Sequence, residues 1–253
     1  MDLAEFLEKK VDEYDQPFFI EKDPVCIPHL FTKKQDIEIA GFFASIFAWG
    51  NRTTIINKSK ELMLMMDNSP HQFCLHHSDN DLKKLLSFRH RTFSATDLLY
   101  FISFFKMHYS QNASLETAFT RWMKEDDTDI RNALSGFYKY FFSLEEVPQR
   151  TLKHIASPDK KSACKRICMY LRWMVRKKSK VDLGIWRTIS PSQLVIPLDL
   201  HVARVARHFG LLKREATNWQ AAVELTNELR KFDEKDPVKF DYALFALGVL
   251  EKY

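Results

Sequence analysis

The chain has 253 residues, 45% of them hydrophobic and 13% aromatic, enough for a packed core and against global disorder. Only 6 Gly accompany 21 Phe, which argues against a turn-rich β-sandwich or barrel and against any fold built on a glycine-rich phosphate loop. The formal net charge is +5 but is unevenly spread. From Arg150 to Arg214 there are 16 Lys or Arg and three acids, leaving 22 basic and 30 acidic residues elsewhere. A basic block inside an acidic chain points to a polyanionic partner, most commonly a phosphate backbone; the alternative is a solvated face with no partner.

In chain order, helical periodicity dominates. Leu3, Phe6, Leu7 and Val11 form an amphipathic stripe opened by Asp2 as N-cap, and Pro17, Pro24 and Pro28 then mark an irregular connection. Ile37–Ala48 is nearly all apolar and predicts a buried helix; Thr53–Met66 predicts another, with Ile56, Leu62, Met63 and Met66 facing a core. Ser69-Pro70 and Ser94 read as helix starts, Ser114 with Thr117 opens a short helix, and the acidic run Glu125–Asp129 precedes one ending near Phe142. The spacing predicts a helix over about Lys160–Lys177, then helices over Leu200–Phe209, Asn218–Lys231 and Pro237–Glu251. The fold class is all-α. No apolar run spans a bilayer, no secretory leader is apparent, and four cysteines make no disulfide scaffold, so a soluble monomer in a reduced cytoplasm is expected.

The chemistry-bearing stretch is Ser157–Leu212. On the predicted helix, Lys161, Lys165, Arg172 and Arg176 fall along one line, an arrangement that repels itself unless an anion lies across it. Downstream, the apolar run Val195-Ile196-Pro197-Leu198 stops at Asp199, and a helix follows. Asp199 reads either as an ordinary N-cap or as a functional carboxylate. The run Ile196-Pro197-Leu198-Asp199-Leu200-His201-Val202-Ala203-Arg204-Val205 resembles the Asp-and-helix segment of the helix-hairpin-helix-GPD DNA glycosylase superfamily, which includes endonuclease III and the archaeal GO glycosylases. Lys165-Arg166-Ile167-Cys168-Met169 resembles the catalytic-lysine segment of the archaeal GO glycosylases, 34 positions ahead of Asp199. Asp241 through Gly248 resembles the segment in which that family's Asp, with an aromatic one turn later, holds a flipped guanine. Trp49-Gly50-Asn51-Arg52 resembles the loop that pushes a residue into the duplex.

The resemblance implies a two-lobed helix-hairpin-helix glycosylase-like fold with an interlobe cleft, the chain forming a separate family on it. One helical lobe would span residues 31–198 and end in the hairpin-like region; the other would combine 1–30 with 199–253. It implies a base-excision N-glycosylase, with or without AP lyase action, acting on an oxidised purine. Lys165 would be the nucleophile, its amine activated by burial or by Lys161, Arg166 and Arg172, and Asp199 would stabilise positive charge developing on the sugar. Asp241, Phe245 and Trp49 are candidate base contacts, with Phe93 and Trp186 as further aromatic candidates. Asn51, Arg52, Lys160, Lys161, Arg166, Arg172 and Arg204 are candidate contacts to double-stranded DNA.

Two departures from the superfamily pattern are visible. Ser157-Pro158-Asp159-Lys160-Lys161 lacks the hairpin glycines that let backbone N–H groups approach phosphate. No cysteine follows Cys168, so an iron–sulfur cluster is excluded, and no metal or cofactor is expected. If the helix begins near Asp159, Lys165 lies inside it and Lys161 is a rival nucleophile. A catalytically inactive nucleic-acid binder on the same fold is the alternative function. His76-His77-Ser78-Asp79-Asn80-Asp81 as a metal or phosphohydrolase site is a weaker reading, because consecutive residues point in different directions.

Overall fold

The computed structural model describes residues 2–253, and these are all-α apart from one two-stranded hairpin. In chain order the helices are α1 (Leu3–Tyr14), α2 (Phe18–Glu21), α3 (Lys34–Phe47), α4 (Arg52–Met65), α5 (Pro70–His76), α6 (Asp79–Lys84), α7 (Ala95–Tyr109), α8 (Glu116–Thr120) and α9 (Arg131–Phe141). They continue with α10 (Lys165–Val175), α11 (Leu200–His208), α12 (Trp219–Arg230) and α13 (Asp241–Val249). The strands β1 (Arg89–His90) and β2 (Phe93–Ser94) pair antiparallel between α6 and α7.

Local signals set most helix starts. Asp2 accepts the Leu3 N–H, Asn51 accepts the Thr54 N–H ahead of α4, and Ser94 with Asp97 closes a capping box on α7. The structure differs at the basic segment. In place of one helix over Lys160–Lys177, a single 3-10 turn (Pro158–Lys160) is followed by Lys161 at φ +59° and Cys164 at φ +53° before α10 begins at Lys165. Neither residue type ordinarily adopts the left-handed region, at a cost of roughly 1–2 kcal/mol each, so helical spacing carries no sign of the break.

The chain divides into two compact units. One comprises residues 22–122 and 136–155; the other comprises 1–21, 123–135 and 156–253, so the division falls inside α9. Segment 156–198 therefore groups with the C-terminal helices, whereas the sequence reading ends the middle lobe at 198. The reason is ionic and hydrogen-bonded: α10 and the loop after it pair with Asp15, Asp236 and Asp241 of that unit.

The unit of residues 22–122 and 136–155 is an aromatic core. Phe42, Phe43, Phe47, Phe93, Phe101, Phe104, Phe105 and Phe141 are all fully buried, in edge and offset contacts such as Phe42–Phe105 at 5.5 Å. Phe93, a candidate base contact from sequence, is core here. Buried Glu38 accepts from the Tyr109 hydroxyl (3.0 Å), the Ser114 hydroxyl (2.5 Å) and the Leu115 N–H (3.0 Å), which satisfies its charge inside the core.

In the other unit, the loop after α10 turns back on the helix end. Leu183 and Gly184 N–H groups donate to the Trp173 carbonyl and Trp186 N–H to that of Met174, so orphan C-terminal carbonyls find donors. Gly184 sits at φ +57°, and a Cβ there would lie 2.7 Å from the Arg176 carbonyl oxygen, so the return path requires glycine. Trp186 is fully buried beside Tyr170 and is core, which removes it from the candidate base contacts.

Candidate active site

Lys165 and Asp199, 34 positions apart, meet: Lys165 Nζ lies 3.3 Å from Asp199 Oδ2, with both side chains partly exposed. Each sits at a helix start. Lys165 is the first residue of α10 because the left-handed Cys164 stops any earlier helical turn. Asp199, in extended conformation after the buried run Val195–Leu198, caps α11. Its two oxygens divide the work. Oδ1 accepts the N–H groups of His201 and Val202, each at 2.9 Å, while Oδ2 faces the amine. The two sequence readings of Asp199 are thus compatible: the cap fixes the carboxylate and leaves one oxygen available.

Behind this pair lies a buried ionic cluster. Arg172 contacts Asp241 through a close Nη1–Oδ2 ion pair, Asp182 at 3.3 Å and the Tyr242 hydroxyl at 3.1 Å, with its guanidinium 4.2 Å over the Tyr242 ring. Arg176 reaches Asp182 at 2.5 Å, Asp236 at 3.0 Å and Asp15 at 3.6 Å. Two guanidiniums face four carboxylates, so full ionisation leaves negative charge in excess. Burial pushes the Asp241 carboxyl up to about 6; Arg172 opposes this, and Asp199 adds to it. Burial likewise raises Asp236 against the pull of Arg176.

This overturns two expectations. Arg172, a candidate DNA contact, is 5% exposed and spent on internal carboxylates. The basic line Lys161–Lys165–Arg172–Arg176 needs no external anion: Lys161 is off the helix, and the other three face Asp199, Asp182, Asp241, Asp236 and Asp15. Sequence spacing missed Asp182, Asp236 and Asp15 altogether. They come from three separate segments, and nothing in the spacing of the basic residues points to them.

The remaining candidates are placed as follows. Asp241 is as buried as Arg172, and Phe245, one turn along α13, is half-buried with its ring 6.3 Å from that of Phe19. Lys160 and Lys161 are exposed on the turn before α10, and burial lowers the pKa of half-buried Arg166. Exposed Arg204 donates to the Gly248 carbonyl at 2.7 Å. Trp49, Asn51 and Arg52 belong to the other unit, where Asn51 is the α4 cap. Leu200, beside Asp199, is 75% exposed, an apolar surface at the site that helical patterning assigns no role. Burial pushes the Cys164 thiol up to about 12, so it stays protonated and does not compete as a nucleophile.

At the other end of α10 is an open groove of about 1330 Å³ walled by Arg176, Lys178, Trp186 and Asp236. Neither Lys165 nor Asp199 lines it, and Arg176 and Asp236 are already paired with each other. His77 bonds the Phe73 carbonyl and Asp81 closes the α6 capping box, which gives the His76–Asp81 run structural roles. Among the described residues no group of three or more His, Cys, Asp or Glu could hold a metal ion, and no helix is long and apolar enough to cross a membrane.

Over residues 23–250 the chain matches a family described as protein of unknown function (DUF2400). The chain belongs to DUF2400. No curated protein and no solved structure matches it. The matched span takes in Lys165, Asp199, Asp241 and the whole ionic cluster apart from Asp15.

Titration of Asp241 has a definite sign. Its folded pKa is raised, so its contribution to stability is fully present below the ordinary carboxylate value and is lost as pH rises through about 6. Relative to Asp241→Asn, the native chain should lose on the order of 3 kcal/mol between pH 4 and 7. Urea midpoints of both proteins across that range measure the difference; a pH-independent gap contradicts it.

Proposed function

We propose that this chain is a DNA base-excision N-glycosylase of the helix-hairpin-helix type, with Lys165 as nucleophile and Asp199 as its charge-stabilising and proton-handling partner. The observation that carries this reading is the 3.3 Å Lys165–Asp199 pair at two helix starts, partly open to solvent and backed by buried charge. The resemblance of both segments to glycosylases supports it, as does the place of Lys165 directly after a tight turn.

The chemistry balances with these two groups. The Lys165 ammonium first gives a proton to solvent. Its amine then attacks the anomeric carbon; the C–N bond forms as the glycosidic bond breaks, and the base leaves with the electron pair and takes a proton from solvent. The adduct nitrogen loses a proton to Asp199. Asp199 returns it to the ring oxygen as the sugar opens, leaving a protonated Schiff base. Before the bond breaks, the fixed carboxylate stabilises oxocarbenium charge. Asp241 and Phe245, one turn apart on α13, are the proposed base contacts; Asp241 Oδ2 is held by Arg172, which leaves Oδ1 for the ligand.

Borohydride trapping tests the reading. Incubated with an 8-oxoguanine duplex and borohydride, the native chain should form a covalent adduct, and Lys165→Ala should form none. An adduct that survives Lys165→Ala but not Lys161→Ala reassigns the nucleophile to Lys161. Duplex binding without any adduct supports the second reading, an inactive nucleic-acid binder, which the absence of hairpin glycines favours.

A further inference from the structure

The hairpin β1–β2 presents an arginine cluster that the proposed chemistry does not use. Its two-residue turn is Arg91-Thr92, with Arg91 in the left-handed region at φ +54°. The Arg91 guanidinium lies 4.2 Å over the Trp49 ring. Gly50, at φ +104°, makes room for it: a Cβ there would fall 2.1 Å from Arg91 Nη1. Arg89 donates through Nε to the Arg91 carbonyl at 3.2 Å. Arg150 donates to the Thr92 carbonyl at 2.9 Å, with Nε 3.3 Å from Asp97, a buried carboxylate also held by Ser94 and Thr151.

Each of the three guanidiniums is therefore braced while its outward donors stay in solvent. Arg89 and Arg91 are exposed, and neither pairs with a carboxylate among the described residues. Stacking on an indole occupies the guanidinium face and leaves its N–H edge free for a bidentate partner. An unpaired, preorganised pair of planar cations fits phosphate oxygens better than the single charge of a side-chain carboxylate. His90, between the two arginines, points inward to the Phe47 carbonyl, which leaves the exposed hairpin to Arg89, Arg91 and Thr92, with no acid among them.

We propose that the β1–β2 hairpin is a phosphate grip for a nucleic-acid backbone, in which Arg89 and Arg91 each bind a phosphate and Arg150 and Gly50 hold them in place. The inference rests on the nucleic-acid reading above but concerns a different surface. The test uses the full chain and a short DNA duplex, with affinity measured across salt concentration. Arg89→Ala/Arg91→Ala should reduce the slope of log affinity against log salt by about two and weaken binding roughly ten- to a hundred-fold at moderate salt. Gly50→Ala, which keeps both charges but displaces the guanidinium, should weaken binding less than the double variant. Thermal unfolding of all three proteins checks that the fold is retained.

If the native chain binds duplex and the double variant keeps the full slope, the grip is wrong while the function reading stands. If the native chain neither binds duplex nor forms the borohydride adduct, the function reading fails, and the grip fails with it. Arginine-dependent binding to anionic phospholipid vesicles, with none to duplex, overturns the proposal in favour of a lipid surface.

Discussion

Asp199→Asn is expected to leave the protein folded and to slow base release by about 100- to 1000-fold relative to the native chain. The asymmetry follows from the two carboxylate oxygens. Asn caps helices about as well as Asp, so its carbonyl can keep the His201 and Val202 N–H groups and α11 retains its start. What disappears is the charge beside the Lys165 amine and the site that receives its proton. Asp199→Ala removes both and should cost about 1 kcal/mol of stability as well. Single-turnover excision from an 8-oxoguanine duplex, alongside thermal unfolding, separates the two effects. A folded Asp199→Asn protein with the native rate would remove Asp199 from the chemistry and leave it a cap.

The largest loss of stability is expected from Arg176→Ala. This side chain is 1% exposed and holds Asp15, Asp182 and Asp236 at once. Burial works against its charge, but Asp182 and Asp236 more than offset that, and its pKa moves up. Without it, three carboxylates share a low-dielectric pocket, and Arg172 is at hand for Asp182 alone. Removing one partner of a buried ionic cluster costs about 3–5 kcal/mol, on the order of 10 °C in melting temperature for a chain of this size. The deficit should shrink as pH falls from 7 towards 5, because the abandoned carboxylates bind protons in the folded state more tightly than in the unfolded one. Arg176→Lys should fall between the two, since an ammonium cannot match a planar fork to three acids. Denaturant unfolding at both pH values measures this; a deficit that grows on acidification would show that the carboxylates are not the cause.

The two sides of this site were unequally legible in the sequence. Asp199 is readable because capping is local: an acid between an apolar extended run and a helical pattern has a mechanism within four residues. The helix starts at Asp2 and Ser94 follow the same logic, whereas Asn51, taken from the sequence as a DNA contact, is the cap of α4. The start of α10 is not readable, since Lys161 and Cys164 take a backbone region their side chains disfavour, and only their surroundings hold them there. The fate of the basic residues is hidden for a different reason. Periodicity places Arg172 and Arg176 on a face, but whether that face meets solvent or carboxylates depends on Asp15, Asp182 and Asp236, up to 161 positions from Arg176. The β1–β2 hairpin escapes because two-residue strands have no period to detect, and Arg91-Thr92 is not a turn-forming pair.

The double duty of Asp199 bears on how this site would change under mutational drift. A lineage that lost Lys165 would still be held to a capping side chain at that position (Asp, Asn, Ser or Thr), because α11 needs the His201 and Val202 amide groups satisfied. The Lys165 amine has no such second employment: among the described residues its one polar partner is Asp199 itself. Surveying other members of DUF2400, the informative column is therefore the lysine. Where it has been replaced, a carboxylate that persists is accounted for by the helix cap alone.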